Sequence, residues 1–183
     1  MGKLIYFGFY GRAEPTRMLL NHAGEKYEEQ TVKMEDWAAL KPEMPGGTLP
    51  VWVNEHGLML GQSISLLQAF ARSLGYAPKG FIGDWANQWV SDQIADFQSK
   101  GYTGKLFAPS VDDQTVKAWA EDNQKFNLSI EKHLTTMNTK FLAGDNLTAS
   151  DFHLYAQITS FAHNKNCNHQ NVYLALKATH NNG

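Results

Sequence analysis

The chain of 183 residues is poorest in cysteine, holding Cys167 alone. One thiol cannot form an internal disulfide, a Cys-x-x-Cys redox pair or a cysteine zinc cage. Disulfide oxidoreductase chemistry and structural zinc chemistry are therefore excluded. Charge of one sign is also lacking: 16 Lys and Arg stand against 18 Asp and Glu, net −2. Such a balance gives no global attraction for nucleic acid or anionic lipid, and neither is expected as a partner. No apolar run approaches the roughly 20 residues of a membrane span. The apolar start is cut short by Arg12 and Glu14, so a signal peptide is not expected. Gly2 invites a myristoyl chain, but Tyr6 stands where Ser or Thr is wanted. A reducing, cytoplasmic setting is expected, in which the sequons at Asn127 and Asn146 are chance matches.

What is present alternates in its first part. Lys3 to Phe7 reads as a strand, followed by a loop from Gly8 to Gly11. A helix starts near Glu14, with Pro15 in a first turn that needs no N–H there. Gly24 suits its end. Glu29 to Lys33 reads as a second strand and Asp36 to Leu40 as a helical turn broken by Pro42. Val51 to Val53 and Leu58 to Leu60 read as two further strands. Ser63 to Leu74 carries Ile64, Leu67, Phe70, Ala71 and Leu74 at helical spacing. The order β-α-β-(α)-β-β-α over residues 1–75 is that of an α/β thioredoxin-like domain.

Residues 76–83 read as a linker, rich in Gly and Pro. From 84 to 183 the pattern is all helical. Asp84 to Lys100 places Trp85, Trp89, Ile94 and Phe97 along one side. Asp112 to Thr139 forms a long helix, with Phe126, Ile130, Leu134, Met137 and Phe141 stepping by three or four. Thr148-Ala149-Ser150-Asp151 is a capping-box start for a helix to about Ala162. A weaker helix is expected over Val172 to Ala178. His163, Cys167 and His169 lie in an Asn-rich stretch, and no metal site is expected there. Gly8 and Gly11 do not form a phosphate loop, since no Gly-Lys-Ser follows.

The local motifs narrow the field. Tyr6-Phe7 followed by Gly11-Arg12-Ala13-Glu14 and Arg17 resembles the N-terminal signature of cytosolic glutathione transferases, most like the sigma type. Trp37 with Lys41, Leu49-Pro50, Gln62-Ser63 and Leu147-Thr148-Ala149-Ser150-Asp151-Phe152 fall in that family's order and near its spacing. The resemblance covers nearly the whole chain. It implies a thioredoxin-like domain plus an all-α domain, a homodimer, and glutathione as cosubstrate with no metal or organic cofactor required.

By the same resemblance Tyr6 is the catalytic residue. A phenol that donates a hydrogen bond to a thiol stabilises the thiolate, lowering its pKa from about 8.5 toward neutrality. Tyr10 is a nearby competitor that does not match the family position. Arg12 is placed near the sulfur, or holds Glu14. Pro50 is expected to be cis, with Leu49 pairing its main chain with the cysteinyl unit. Gly47 and Thr48 flank this contact; Thr48 stands where the family has a longer polar residue, so its side-chain share is expected to be smaller. Gln62 and Ser63 open a helix whose N-terminus suits the γ-glutamyl carboxylate, with Ser63 as cap. Trp37 and Lys41 suit the glycine carboxylate. Asp96, with Asp92 as a neighbour that could share the role, is expected to reach the ligand's α-amino group in the partner subunit. Asp151 is expected to be structural.

The second substrate, a hydrophobic electrophile, is expected between the loop after the first strand and the helical domain. Phe9, Tyr10, Phe97 and Tyr102 are its expected contacts. The chain is shorter than the family's usual length and the shortfall falls after Phe152, so a more open electrophile site is expected. Two rivals share the resemblance: a glutathione-dependent prostaglandin isomerase or peroxidase at the same site, and a non-enzymatic crystallin-like protein. The latter generally carries an insertion in the helical domain that is not evident here.

Overall fold

The computed structural model describes residues 1–162, apart from Phe107 and Pro109. The helix expected over Val172 to Ala178 and the group His163, Cys167 and His169 lie outside the described residues. The chain divides into two units, Met1–Ala77 and Pro78–Gly183.

The first unit contains strands β1 (Lys3–Phe7), β2 (Glu28–Val32), β3 (Val51–Val53) and β4 (Met59–Gly61). They form one mixed sheet in the order β2-β1-β3-β4. β1 runs parallel to β2 and antiparallel to β3, and β3 is antiparallel to β4. Side chains alternate across a strand, so β1 feeds two cores. Ile5 joins Val32, Met44 and Val51 on one face. Leu4 and Tyr6 join Ala13 on the other. Helices α1 (Glu14–His22) and α3 (Ser63–Ser73) pack against each other, and the short α2 (Trp37–Leu40) lies among the connections. Gly2 is required by a close approach: a Cβ there would lie 1.9 Å from the Trp52 ring. This is the thioredoxin-like arrangement expected from the element order. β2 and β4 each sit one residue away from the predicted span.

The second unit holds α4 (Gly80–Ser99), α5 (Tyr102–Leu106), α6 (Asp113–Met137) and α7 (Ala149–Ala162). Helix α4 begins inside the segment read as a linker, so the division between units falls at residue 77 rather than across 76–83. Gly83 packs tightly inside this first turn region: a Cβ there would lie 3.1 Å from the Ala143 carbonyl. The buried side of α4 is Gly83, Ala86, Asn87, Val90, Ser91, Ile94 and Phe97. Ile94 and Phe97 face the core as expected, but Trp85 is 47% exposed. Trp89 stacks on the buried His133, whose Nε2 meets the Leu142 carbonyl at 2.8 Å. The five-residue α5 is too short to show a helical period in the sequence.

α6 is capped by Asp112, whose carboxylate accepts from the Thr115 N–H at 2.8 Å. At α7, Asp151 accepts from the Thr148 N–H at 2.8 Å and from its hydroxyl at 2.9 Å. Its other oxygen accepts from the Leu142 N–H at 3.0 Å. Asp151 thus fixes both the helix start and the preceding loop. Among the described residues no helix is long and apolar enough to cross a membrane.

Candidate functional site

Tyr6 lies near the end of β1 with its ring 5% exposed. Phe7 and Phe9 meet it edge-on, with ring centroids 5.5 and 5.8 Å away. The chain then turns through Gly8–Gly11 and returns to the phenol. There the Arg12 N–H donates to the Tyr6 hydroxyl oxygen at 3.0 Å. The turn passes so close that a Cβ on Gly11 would stand 2.8 Å from that oxygen. Burial pushes the Tyr6 pKa above its ordinary value, while the Arg12 N–H and the charges of Arg17 and Arg12 pull it down. The phenol is therefore neutral at physiological pH. Its oxygen is engaged as an acceptor, and among the described residues nothing accepts its own proton. The hydroxyl is available to donate.

Arg12 itself is exposed and does not hold Glu14. Glu14 pairs with Arg17 at 3.2 Å. Arg17 also pairs with Glu29 and donates to the Phe9 carbonyl at 3.1 Å and the Phe7 carbonyl at 3.2 Å. Burial raises the Glu14 pKa, against the lowering effect of Arg17.

A second group of predicted residues meets around two successive glycines, Gly46 and Gly47, both at positive φ. A Cβ on Gly46 would be 4.0 Å from both Gln62 Nε2 and Thr48 Oγ1. One on Gly47 would be 3.5 Å from Lys41 Cε. The stem of Lys41 thus lies along Gly47, while Thr48 and Gln62 converge on Gly46. Thr48 donates only a long bond, 3.5 Å, to the Pro45 carbonyl. Trp37, one turn before Lys41, sets its ring edge-on to Phe7 at 5.7 Å. The Leu49–Pro50 peptide bond is cis. The β1–β3 ladder starts at Val51, so Leu49 stands just ahead of it.

Gln62, not Ser63, is the N-cap of α3; Ser63 is its first helical residue. Gln62 has φ 71° and ψ 110°, a conformation that a side chain rarely adopts. Strain of this kind persists where surrounding structure enforces it, and it collects at ligand sites.

In the second unit, Asp96 is exposed on α4. Asp92, one turn earlier, accepts from the Gln88 amide at 2.8 Å. Two of the predicted electrophile contacts, Phe97 and Tyr102, are buried in the core of the second unit. Phe97 is buried against Phe126, with centroids 5.2 Å apart. Tyr102 packs beside Phe97 and donates its hydroxyl to Asp122 at 2.6 Å. Burial and that carboxylate push its pKa up to about 12. Phe9 and Tyr10 remain partly open, Tyr10 being 40% exposed. No group of three or more His, Cys, Asp or Glu among the described residues could hold a metal ion.

Arg17 as an organiser of the loop and Gly11 as a spacer are not visible in the sequence alone. Both sit inside the quoted motif, but their partners are visible only once the loop is folded.

Residues 96–182 match the family described as glutathione S-transferase, C-terminal domain. Glutathione S-transferase 4 of Caenorhabditis elegans is 32% identical over 168 residues, covering 88% of this chain and 81% of that protein. Hematopoietic prostaglandin D synthase of Gallus gallus is 32% identical, covering 82% and 74%. Among solved structures, the monomeric Na-GST-3 of the hookworm Necator americanus superposes with a TM-score of 0.79 at 25% identity, covering 98% and 90%. The sigma class enzyme of Fasciola hepatica superposes with a TM-score of 0.75 at 26% identity, covering 87% and 78%. The similarity runs through both units, and the chain belongs to the glutathione S-transferase family.

Proposed function

We propose that this chain binds reduced glutathione along its first unit and activates the thiol for attack on a hydrophobic electrophile. The observation that carries this reading is the Tyr6 hydroxyl, whose oxygen is held by the Arg12 N–H and whose proton has no acceptor among the described residues. In the proposed step the thiol loses its proton to solvent. The Tyr6 hydroxyl donates to the sulfur and favours the thiolate. The sulfur lone pair forms the S–C bond while the leaving group departs with its electron pair. Tyr6 keeps its proton throughout. No metal or organic cofactor enters this step, and glutathione is a cosubstrate.

The remaining roles follow the motifs. Lys41 and Trp37 bind the glycine carboxylate, and Leu49, ahead of Pro50, pairs its main chain with the cysteinyl unit. Gln62, Ser63 and the N-terminus of α3 bind the γ-glutamyl carboxylate. The convergence of Thr48 and Gln62 on Gly46, and of Lys41 on Gly47, supports a single ligand lying across these loops. Arg12 adds positive charge near the sulfur. Phe9 and Tyr10 offer the electrophile an apolar edge.

The proposed assembly is a cytoplasmic homodimer in which Asp96 serves the ligand of the partner subunit. Its support is β4, an edge strand on which Met59 and Leu60 are 40 and 41% exposed, with Leu58 just before it 57% exposed. An apolar edge of this kind favours pairing with another chain. Light scattering decides between dimer and monomer.

A second reading, isomerisation of a lipid endoperoxide at the same thiolate, is favoured by the similarity to prostaglandin D synthase. A substrate panel of aryl halides, hydroperoxides and endoperoxides separates the two. The test of the shared step is Tyr6→Phe. Loss of a hydrogen bond to a charged sulfur should lower kcat/KM roughly 10- to 100-fold. Glutathione binding by calorimetry should change little. Unchanged turnover at matched pH would remove Tyr6 from the mechanism. Failure of the wild type to bind glutathione at all would favour the crystallin-like alternative.

A further inference from the structure

Arg17 is a buried cation beside Tyr6 whose guanidinium contacts two backbone carbonyls and two carboxylates. One guanidinium nitrogen bonds the Phe9 carbonyl and Glu14; another bonds the Phe7 carbonyl and Glu29. The two carbonyls bracket Gly8, where the chain leaves β1 and enters the turn. The guanidinium carbon also stands 5.3 Å from the centre of the Tyr6 ring. A planar fork with several donors can tie two carbonyls and two carboxylates at once; an ammonium cannot do so with the same geometry.

We propose that Arg17 is a positioning residue of the site: by clamping the Phe7 and Phe9 carbonyls it sets the Gly8–Gly11 turn so that the Arg12 N–H meets the Tyr6 oxygen and the phenolic proton points away. Its catalytic consequence rests on the thiolate reading of Tyr6; its structural content does not. Charged and titratable groups facing this cluster are Glu14 on α1, Glu29 on β2, Arg12 in the turn, and Tyr27 just before β2. Arg17 and Arg12 favour the ionised phenol, and Glu14 opposes them. Removing Arg17 therefore makes the phenol a weaker acid and a weaker donor, through the lost charge and the loosened Arg12 contact.

The test uses the full chain with Arg17→Met, Arg17→Lys, and the triple variant Arg17→Met, Glu14→Gln, Glu29→Gln. The triple variant also removes the buried Glu14 carboxylate and the exposed Glu29 carboxylate, which a single substitution would leave without their partner. Tyrosinate absorbance is titrated in each background with and without Tyr6→Phe, so that the difference reports Tyr6 alone and not Tyr27. The pH midpoint of kcat/KM is measured with glutathione and an aryl halide. Arg17→Met should raise both the Tyr6 titration and the activity midpoint by about one pH unit, with KM for glutathione within about twofold. Arg17→Lys should keep most of the charge effect yet lose part of kcat, because a point charge cannot hold both carbonyls. The triple variant should show a smaller rise in the same direction, and it decides the matter if the single variant does not fold. Unmoved midpoints, with activity tracking only the folded fraction, would overturn the proposal. If Tyr6→Phe leaves turnover intact, the thiolate reading fails while the Tyr6 titration still judges Arg17.

Discussion

The Arg12 N–H meets the Tyr6 hydroxyl at 3.0 Å because Gly11, the residue before it, has no side chain. A Cβ at Gly11 would lie 2.8 Å from the phenolic oxygen, closer than real Cβ contacts allow. Tyr6 is buried among Phe7 and Phe9 and cannot swing aside freely. Gly11→Ala should therefore displace the hydroxyl and lower kcat/KM at least about 10-fold, while overpacking costs about 1–3 kcal/mol. Steady-state kinetics and urea unfolding check the two numbers. Wild-type turnover in Gly11→Ala would mean that the Tyr6 position is not critical.

Gln62 offers a different balance. Its φ of 71° is a conformation suited to glycine. Gln62→Gly should relieve that strain and raise stability by about 0.5–1 kcal/mol, while losing the amide that faces Gly46 and Thr48. KM for glutathione should rise and kcat should hold. A drop in stability would show that the surrounding loop, not strain, sets this residue's energy.

The elements easiest to read were those whose signals are local. Val51–Val53 lies between Pro50 and an Asn54–Gly57 turn, and Pro15 marks the first turn of α1. The onset of α4 is not legible because Gly80-Phe81-Ile82-Gly83 looks like linker, whereas Gly83 is buried on the inner side of the helix. On α4 the bulky Trp85 reads as part of the buried stripe, yet it is 47% exposed. The small residues Gly83, Ala86 and Ser91 face inward instead, letting the helices approach. At the site, motif order brought out Lys41, Thr48 and Gln62, and folding brings them around Gly46 and Gly47. The role of Arg17 was hidden because its carbonyl partners, eight and ten residues back, are set by a turn and not by helical spacing.

Tyr102 tests whether a core tyrosine touches the electrophile. Its hydroxyl is committed to Asp122, which Lys100 also holds at 2.8 Å. Tyr102→Phe removes one bond to a charged acceptor and leaves the ring in place. Stability should fall by about 1.5–3 kcal/mol, and KM for the electrophile should stay within about twofold. A large KM change specific to the electrophile would restore Tyr102 as a substrate contact.

His153 gives the second unit an acid-sensitive core. The imidazole is 5% exposed on α7, with Nδ1 3.4 Å from the Ser91 hydroxyl. Burial lowers its pKa from 6.5 to about 4. Above pH 6.5 the ring is neutral in both the folded and the unfolded chain and adds no pH dependence. Below it the unfolded chain takes up a proton that the folded chain refuses, so stability falls as pH drops toward 4. The full loss is on the order of 3 kcal/mol, from about 1.4 kcal/mol per pH unit. Between pH 7 and pH 5 it should amount to about 2 kcal/mol. His153→Gln keeps a polar group near Ser91 and cannot titrate. Urea unfolding at pH 7 and pH 5 should show this loss in the wild type and a smaller one in His153→Gln. Equal losses in the two proteins would place the acid sensitivity elsewhere.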